Sequence, residues 1–224
     1  ITVHKTTEGQ KNIEGIKFYL RGTSDSGRAI DIPATTDKDG IAKFDGVPIG
    51  TYMVIEDEET VPYGYLVADE KEVKVEYAQT IDETILNNEQ TGTVKVHKKT
   101  ADMTNVEGIR FILSGISDTG REIRIEATTD KDGLAKFEGV PVGTYTITED
   151  GSTVPYGYLV ADSKQVTVAY AQTVDTDMVN EKAPDTPNTG VTDNDSDGSK
   201  ALCSVAIILA GAAIVMFSRK RKER

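Results

Sequence analysis

The sequence predicts an all-β protein of two tandem β-sandwich domains, followed by a flexible linker and one C-terminal transmembrane helix. Three observations predict this. A block of about 90 residues is written twice at a constant offset of 93. Within each block, short runs alternate apolar and polar residues and are punctuated by Gly, Asp and Pro, the pattern of half-buried strands joined by turns. Beyond the second block, a continuous apolar run ends in a basic cluster, the pattern of a membrane span with its cytoplasmic flank.

The repeat comes first. His4 matches His97, Gly15 matches Gly108 and Phe18 matches Phe111. TTDKDG recurs at 35–40 and 128–133, TVPYGYLVAD at 60–69 and 153–162, and YAQT at 77–80 and 170–173. The offset never changes, so no insertion separates the copies. The division is 1–90 and 91–182, each large enough to fold alone around a modest core. Only Glu89 to Gly92 joins them, which predicts a stiff rod. Runs such as Ile16–Leu20, Ile30–Ile32 and Val73–Tyr77 place apolar residues at alternate positions. About seven such runs per block suggest a small sandwich. Asp37 and Asp39, like Asp130 and Asp132, read as turn residues rather than a calcium site, because only two carboxylates are spaced for it and Gly follows at once.

Alternation also aims three polar residues at each core. Val94 and Val96 point inward, so Lys98 does too, and Ile1 and Val3 lead to Lys5 in the same way. Tyr145, Ile147 and Glu149 share one face, matched by Tyr52, Val54 and Glu56. Val174, Met178 and Asn180 share a face, matched by Ile81, Ile85 and Asn87. Burial favours the neutral forms of amines and carboxyls. A neutral amine is a nucleophile, and a carboxylic acid can polarise an amide carbonyl. Lys, Asn and Glu together can therefore form an amide and expel ammonia. The plain alternative is a lysine that snorkels outward and pairs with Glu.

These positions carry a resemblance. The segments Gly50-Thr51-Tyr52…Glu56…Pro62-Tyr63-Gly64-Tyr65 and Gly143-Thr144-Tyr145…Glu149…Pro155-Tyr156-Gly157-Tyr158 resemble the glutamate box of the SpaA-like, or Cna B-type, domains of Gram-positive surface proteins. That family implies an Ig-like, prealbumin-like sandwich with a spontaneous Lys–Asn isopeptide bond. Carried over by position, the bonds are Lys5–Asn87 promoted by Glu56 and Lys98–Asn180 promoted by Glu149. Asn88 beside Asn87 leaves a choice of register, which Glu181 at the matching place in the second copy resolves toward Asn87.

The linker and tail occupy 183–200, with a span at 201–218 and a basic end at 219–224. The run Ala201–Phe217 would make a helix of roughly 26 Å, the short end of what crosses a bilayer. Arg219-Lys220-Arg221-Lys222 reads as the cytoplasmic side. Upstream, the stretch Ala183 to Gly190, which contains Thr186-Pro187-Asn188-Thr189-Gly190, is held extended and exposed by Pro184, Pro187 and Gly190. This motif, a spacer, an apolar span and a basic tail together resemble the sorting signal of sortase substrates. The resemblance implies cleavage between Thr189 and Gly190 and transfer of Thr189 to a peptidoglycan amine. Thr186 stands where that signal usually carries Leu, which leaves the class of sortase open. Asp193 to Gly198 begins like an EF-hand loop, but its twelfth position is Ser204, inside the apolar run, so it reads as solvated linker.

Composition narrows the function. Net charge is −12, which argues against a nucleic-acid partner. A single cysteine, Cys203, excludes an intrachain disulfide framework. No His/Cys metal spacing and no nucleophile–base pair is present, so neither a metal, nor a cofactor, nor an enzyme is expected beyond the self-modification. Starting at Ile1 with no leader, the chain reads as a fragment or processed product. The expected role is a crosslinked stalk, extracellular and anchored in the cell wall, that presents an upstream adhesive region. Its partners would be a sortase and peptidoglycan. A sortase-polymerised pilin remains an alternative. So does an adhesin module for a host or neighbouring-cell ligand, with Tyr63, Tyr65, Tyr156 and Tyr158 as its candidate platform, though these tyrosines suit turn packing better.

Overall fold

The computed structural model describes residues 1–9, 13–102 and 106–184. The expected linker motif, apolar span and basic end lie outside these residues. Among the described residues, no helix is long and apolar enough to cross a membrane.

Each repeat folds into seven strands. In the first these are β1 (Thr2–Thr7), β2 (Lys17–Ser24), β3 (Ala29–Thr35), β4 (Ile41–Lys43), β5 (Gly50–Glu56), β6 (Lys71–Val75) and β7 (Asp82–Asn87). In the second they are β8 (Thr91–Thr100), β9 (Arg110–Ser117), β10 (Glu122–Thr128), β11 (Leu134–Pro141), β12 (Gly143–Glu149), β13 (Lys164–Val168) and β14 (Thr173–Asn180). A three-stranded sheet β4-β1-β7 faces a four-stranded sheet β3-β2-β5-β6. The sheets β11-β8-β14 and β10-β9-β12-β13 repeat the arrangement. Every core has the same composition logic: Phe18, Leu20, Phe44, Tyr52 and Val54 in the first, and Phe111, Leu113, Phe137, Tyr145 and Ile147 in the second, all at most 1% exposed. Alternating strands turn one row of side chains into this layer and the other to solvent.

The first and last strands of each repeat lie side by side and parallel. Lys5 is opposite Ile85 and Thr7 opposite Asn87. Lys98 is opposite Met178 and Thr100 opposite Asn180. Parallel neighbours need a long crossover, and here the whole repeat is that crossover. The TTDKDG segments are turns, as expected: the Asp37 carboxylate accepts from the N–H groups of Asp39 (2.9 Å) and Ile41 (3.0 Å), and Asp130 does the same for Asp132 and Leu134. No cluster of three metal-ligating side chains occurs among the described residues.

The connection between the repeats differs from a plain spacer. Glu89 is buried, and both its oxygens meet the second repeat: Oε1 accepts from Thr119 Oγ1 and Oε2 from Arg121 Nη2. Gln90 accepts from Val142 N (2.9 Å) through its carbonyl and donates its own N–H to Gly64 O (2.7 Å). Gly64 belongs to this joint. A Cβ there would come within 2.7 Å of Thr119 Cγ2, whereas the matching Gly157 has nothing within 4 Å.

Candidate functional site: a buried lysine, glutamate and asparagine in each repeat

Alternation along β1 and β8 carries Lys5 and Lys98 inward behind valines, and their side chains have no exposed surface. Glu56 and Glu149 are the last residues of β5 and β12, in the facing sheets. Asn87 and Asn180 end β7 and β14 and are 0% exposed. Asn88, by contrast, is exposed.

The glutamate stands between the other two groups. In the first repeat, Lys5 Nζ is 3.4 Å from Glu56 Oε1, and Asn87 Nδ2 donates to Glu56 Oε2 at 2.8 Å. In the second, Lys98 Nζ is 3.0 Å from Glu149 Oε1, and Asn180 Nδ2 donates to Glu149 Oε2 at 2.5 Å. Each Oε2 also accepts a backbone N–H, from Ala68 (2.8 Å) or Ala161 (2.7 Å). The asparagine orientation follows from its second bond, Nδ2 to Leu66 O (2.6 Å) or Leu159 O (2.8 Å), since a flipped amide would set two carbonyl oxygens together. Glu56 and Glu149 thus touch the amine with one oxygen and the amide nitrogen with the other.

The ammonium is poorly accommodated. Burial pushes Lys5 and Lys98 below their ordinary value of 10.5, and the neighbouring glutamates only partly offset it. Lys5 Nζ donates to Thr6 O and Ile85 O, and Lys98 Nζ to Met178 O. The carbonyl oxygens of Asn87 and Asn180 are buried with no hydrogen-bond partner, a condition that typically costs 1–3 kcal/mol per group, or about that order. Such an arrangement brings an amine, a carboxyl and an amide into one buried contact.

The other candidates separate from this centre. His4 and His97 lie at the surface against Asp82 (3.3 Å) and Asp175 (2.7 Å). The four tyrosines do not form one platform: Tyr63 and Tyr156 are exposed, Tyr158 is half-buried, and Tyr65 is buried with its hydroxyl donating to Glu8 O (2.9 Å). Thr186 to Gly190 lie outside the described residues. Sequence pattern did not single out Glu89 or Arg121. The signal that was available is a break in the repeat, since Glu89 is replaced by Lys182 in the second copy.

Comparison with known proteins agrees with this architecture. The family model for the SpaA prealbumin-like fold domain matches residues 1–90 and again 92–182. Among curated proteins none matches the chain. Of solved structures, the Bacillus anthracis TIE protein is 23% identical over 81% of this chain, with a TM-score of 0.57. The match covers 33% of that protein, so this chain spans about a third of its length. The minor pilin GBS52 of Streptococcus agalactiae is 18% identical over 83% of this chain and 97% of its own, with a TM-score of 0.39. The shaft pilin SpaA of Lactobacillus rhamnosus GG is 16% identical over 84% and 98%, with a TM-score of 0.37. At 23% identity the first of these likenesses bears on fold alone. The paired family match, coincident with two copies of one sandwich, makes this chain a member of the SpaA prealbumin-like domain family, with two such domains in tandem.

Proposed function

We propose that the chain is the stalk region of a sortase-anchored, Gram-positive cell-wall protein, and that each repeat closes a Lys–Asn isopeptide bond in its core. The observation that carries the reading is the buried Lys–Glu–Asn contact, made twice with the same connectivity.

The chemistry follows from the two oxygens of the glutamate. Oε1 takes a proton from the lysine ammonium, leaving a neutral amine beside the amide. The amine nitrogen adds to the asparagine Cγ. As the tetrahedral centre collapses, the amide nitrogen, which lies on the glutamate Oε2 side, receives that proton from the carboxyl, and Nζ gives its second proton to the carboxylate so regenerated. The Cγ–Nδ2 bond breaks, ammonia leaves and a Cγ–Nζ bond remains. No external catalyst, metal or cofactor enters the balance, and the proposed chain is not an enzyme toward other substrates.

The bond joins residues 82 positions apart, Lys5 to Asn87 or Lys98 to Asn180. Treated like a disulfide of that span, it would stabilise the fold by about 4.5 kcal/mol by constraining the unfolded chain. This suits an exported protein that lacks disulfides. The anchor rests on the sorting-signal resemblance of Thr186 to Gly190 with the apolar run and basic end behind it.

Intact-mass measurement of the purified chain tests the core of the proposal. We expect a deficit of one ammonia per repeat, and Glu149→Ala should restore one of the two. A wild-type chain at its full calculated mass would sink the bond and, with it, the crosslinked stalk.

A further inference from the structure

One short segment in each repeat backs the reactive asparagine. Residues 64–66 run antiparallel to 88–90: Leu66 N donates to Asn88 O (2.9 Å) and Gln90 N to Gly64 O (2.7 Å), around the Tyr65–Glu89 bridge. Residues 157–159 do the same with 181–183, through Leu159 N to Glu181 O and Ala183 N to Gly157 O, both at 2.8 Å. The same segment then enters the centre. Leu66 O accepts from Asn87 Nδ2 and Ala68 N donates to Glu56 Oε2, as Leu159 O and Ala161 N do for Asn180 and Glu149. Whatever holds this segment also holds the amide against the carboxyl.

The two repeats hold it differently. In the second, Lys182 at the bridge pairs with Asp102 (3.1 Å), just beyond β8, and the Tyr158 hydroxyl donates to the same side chain. That tie is internal to the repeat. The matching positions in the first are Glu89 and Gly9, and a glycine has no side chain to make the pair. Tyr65 turns to the Glu8 carbonyl, and Glu89 N donates to Glu8 Oε2, both at 2.9 Å. The Glu89 carboxylate is held from the second repeat instead, by Thr119 and Arg121. Gly64 packs against Thr119 so closely that a Cβ would come within 2.7 Å of its Cγ2.

We infer that the second repeat completes the reactive centre of the first: Thr119 and Arg121 are positioning residues for closure of Lys5 onto Asn87, acting through Glu89 and the segment 64–66. The Lys98–Asn180 centre is held from within its own repeat. The first bond therefore waits for the second repeat to fold, and the two close in the reverse of their order along the chain. The inference rests on the Lys–Asn reading above. It concerns rate, because a small displacement of reacting groups slows a reaction by orders of magnitude. Once closed, the bond is the same.

The test makes the full chain by cell-free synthesis, stops translation, and follows the Lys5–Asn87 and Lys98–Asn180 linked peptides separately by mass spectrometry after digestion. In wild type both form. Gly64→Ala and Gly157→Ala impose the same backbone strain, since φ is +90° at both, but only the first drives a methyl into the neighbouring repeat. Gly64→Ala should slow its own linkage at least about tenfold more than Gly157→Ala slows the other. Adding Thr119→Ser, which removes Cγ2 and keeps the hydroxyl for Glu89, should restore the rate. Arg121→Ala should slow the first linkage and leave the second unchanged, with core amides of both repeats still protected from hydrogen exchange. Equal slowing by the two glycine changes overturns the inference and leaves the Lys–Asn reading standing. So does slowing that Thr119→Ser fails to relieve, or a first linkage indifferent to Arg121→Ala. A wild-type chain that forms neither linkage overturns both.

Discussion

Lys98 has no exposed side-chain surface, and its ammonium is held below 10.5 by burial. Between that lowered value and 10.5, the unfolded chain binds more protons than the folded one. Stability therefore rises with pH across the window, and the gain is complete above 10.5. Asn180→Ala leaves the amine free and should expose this dependence. Its denaturation midpoint should climb as the pH approaches 10.5, relative to the Asn180→Ala, Lys98→Met double variant. Equal slopes for the two would show that Lys98 does not titrate in this way. At fixed neutral pH the same single variant should lose about 4.5 kcal/mol against wild type by denaturant unfolding, the crosslink's share. The inward placement of Lys5, Glu56 and Asn87 was legible because strand side chains alternate and each residue falls an even number of positions from a core hydrophobe. Tyr65 was not, because it lies in a turn, where no period tells a buried ring from an exposed one such as Tyr63.

At the scale of elements, the short 3-10 turn Gly151–Thr153 begins one residue beyond Glu149, the end of β12. Asp150 caps it, accepting from Ser152 N (2.9 Å) and Ser152 Oγ (2.7 Å), and it also holds Arg110 of β9. The Ser152 hydroxyl and N–H, with the Arg110 guanidinium, lower its carboxyl from 3.8 to about 2. A depressed carboxyl contributes stability that is present above 3.8 and lost as pH falls toward about 2. Asp150→Asn should therefore flatten the acid limb of thermal stability in that window without changing the number of ammonia losses seen by intact mass. An unchanged acid limb would mean that the cap is too exposed to matter. The turn itself could be read in the sequence from Asp150-Gly151-Ser152, but the Arg110 contact could not, since it joins elements 40 residues apart. The count of about seven strands per repeat followed from alternation and turn residues. The parallel pairing of first and last strands did not, because alternation specifies a face and not a neighbour.

At the scale of the whole molecule, the joint decides whether two sandwiches act as one body. A carboxylate with no exposed side-chain surface, bonded to Thr119 and Arg121, makes the connection specific in charge and shape. Glu89→Ala removes the partner of Arg121 and should loosen it, broadening the distance distribution between spin labels placed one in each repeat. Both repeats should keep their individual melting behaviour. A distribution as narrow as wild type would show that the backbone bonds of Gln90 suffice. Sequence gave the length of this connection but not its contacts, because Glu89 is buried by a neighbouring module rather than by its own strand.

The parallel pairing of β1 with β7 and of β8 with β14 has a consequence for reach. With the Lys–Asn bonds closed, a pull on the two ends runs from Lys5 straight across to Asn87, and from Lys98 straight across to Asn180. The 81 residues inside each loop never enter the path (87 − 5 − 1 and 180 − 98 − 1). At roughly 3.5 Å per residue, each loop withholds about 280 Å of slack. Between the loops lie only the 11 peptide steps from Asn87 to Lys98, and most of these are already extended in β8. In the proposed stalk role, such a tether would stay at nearly constant length under load and would hold whatever it carries at a fixed distance from its anchor.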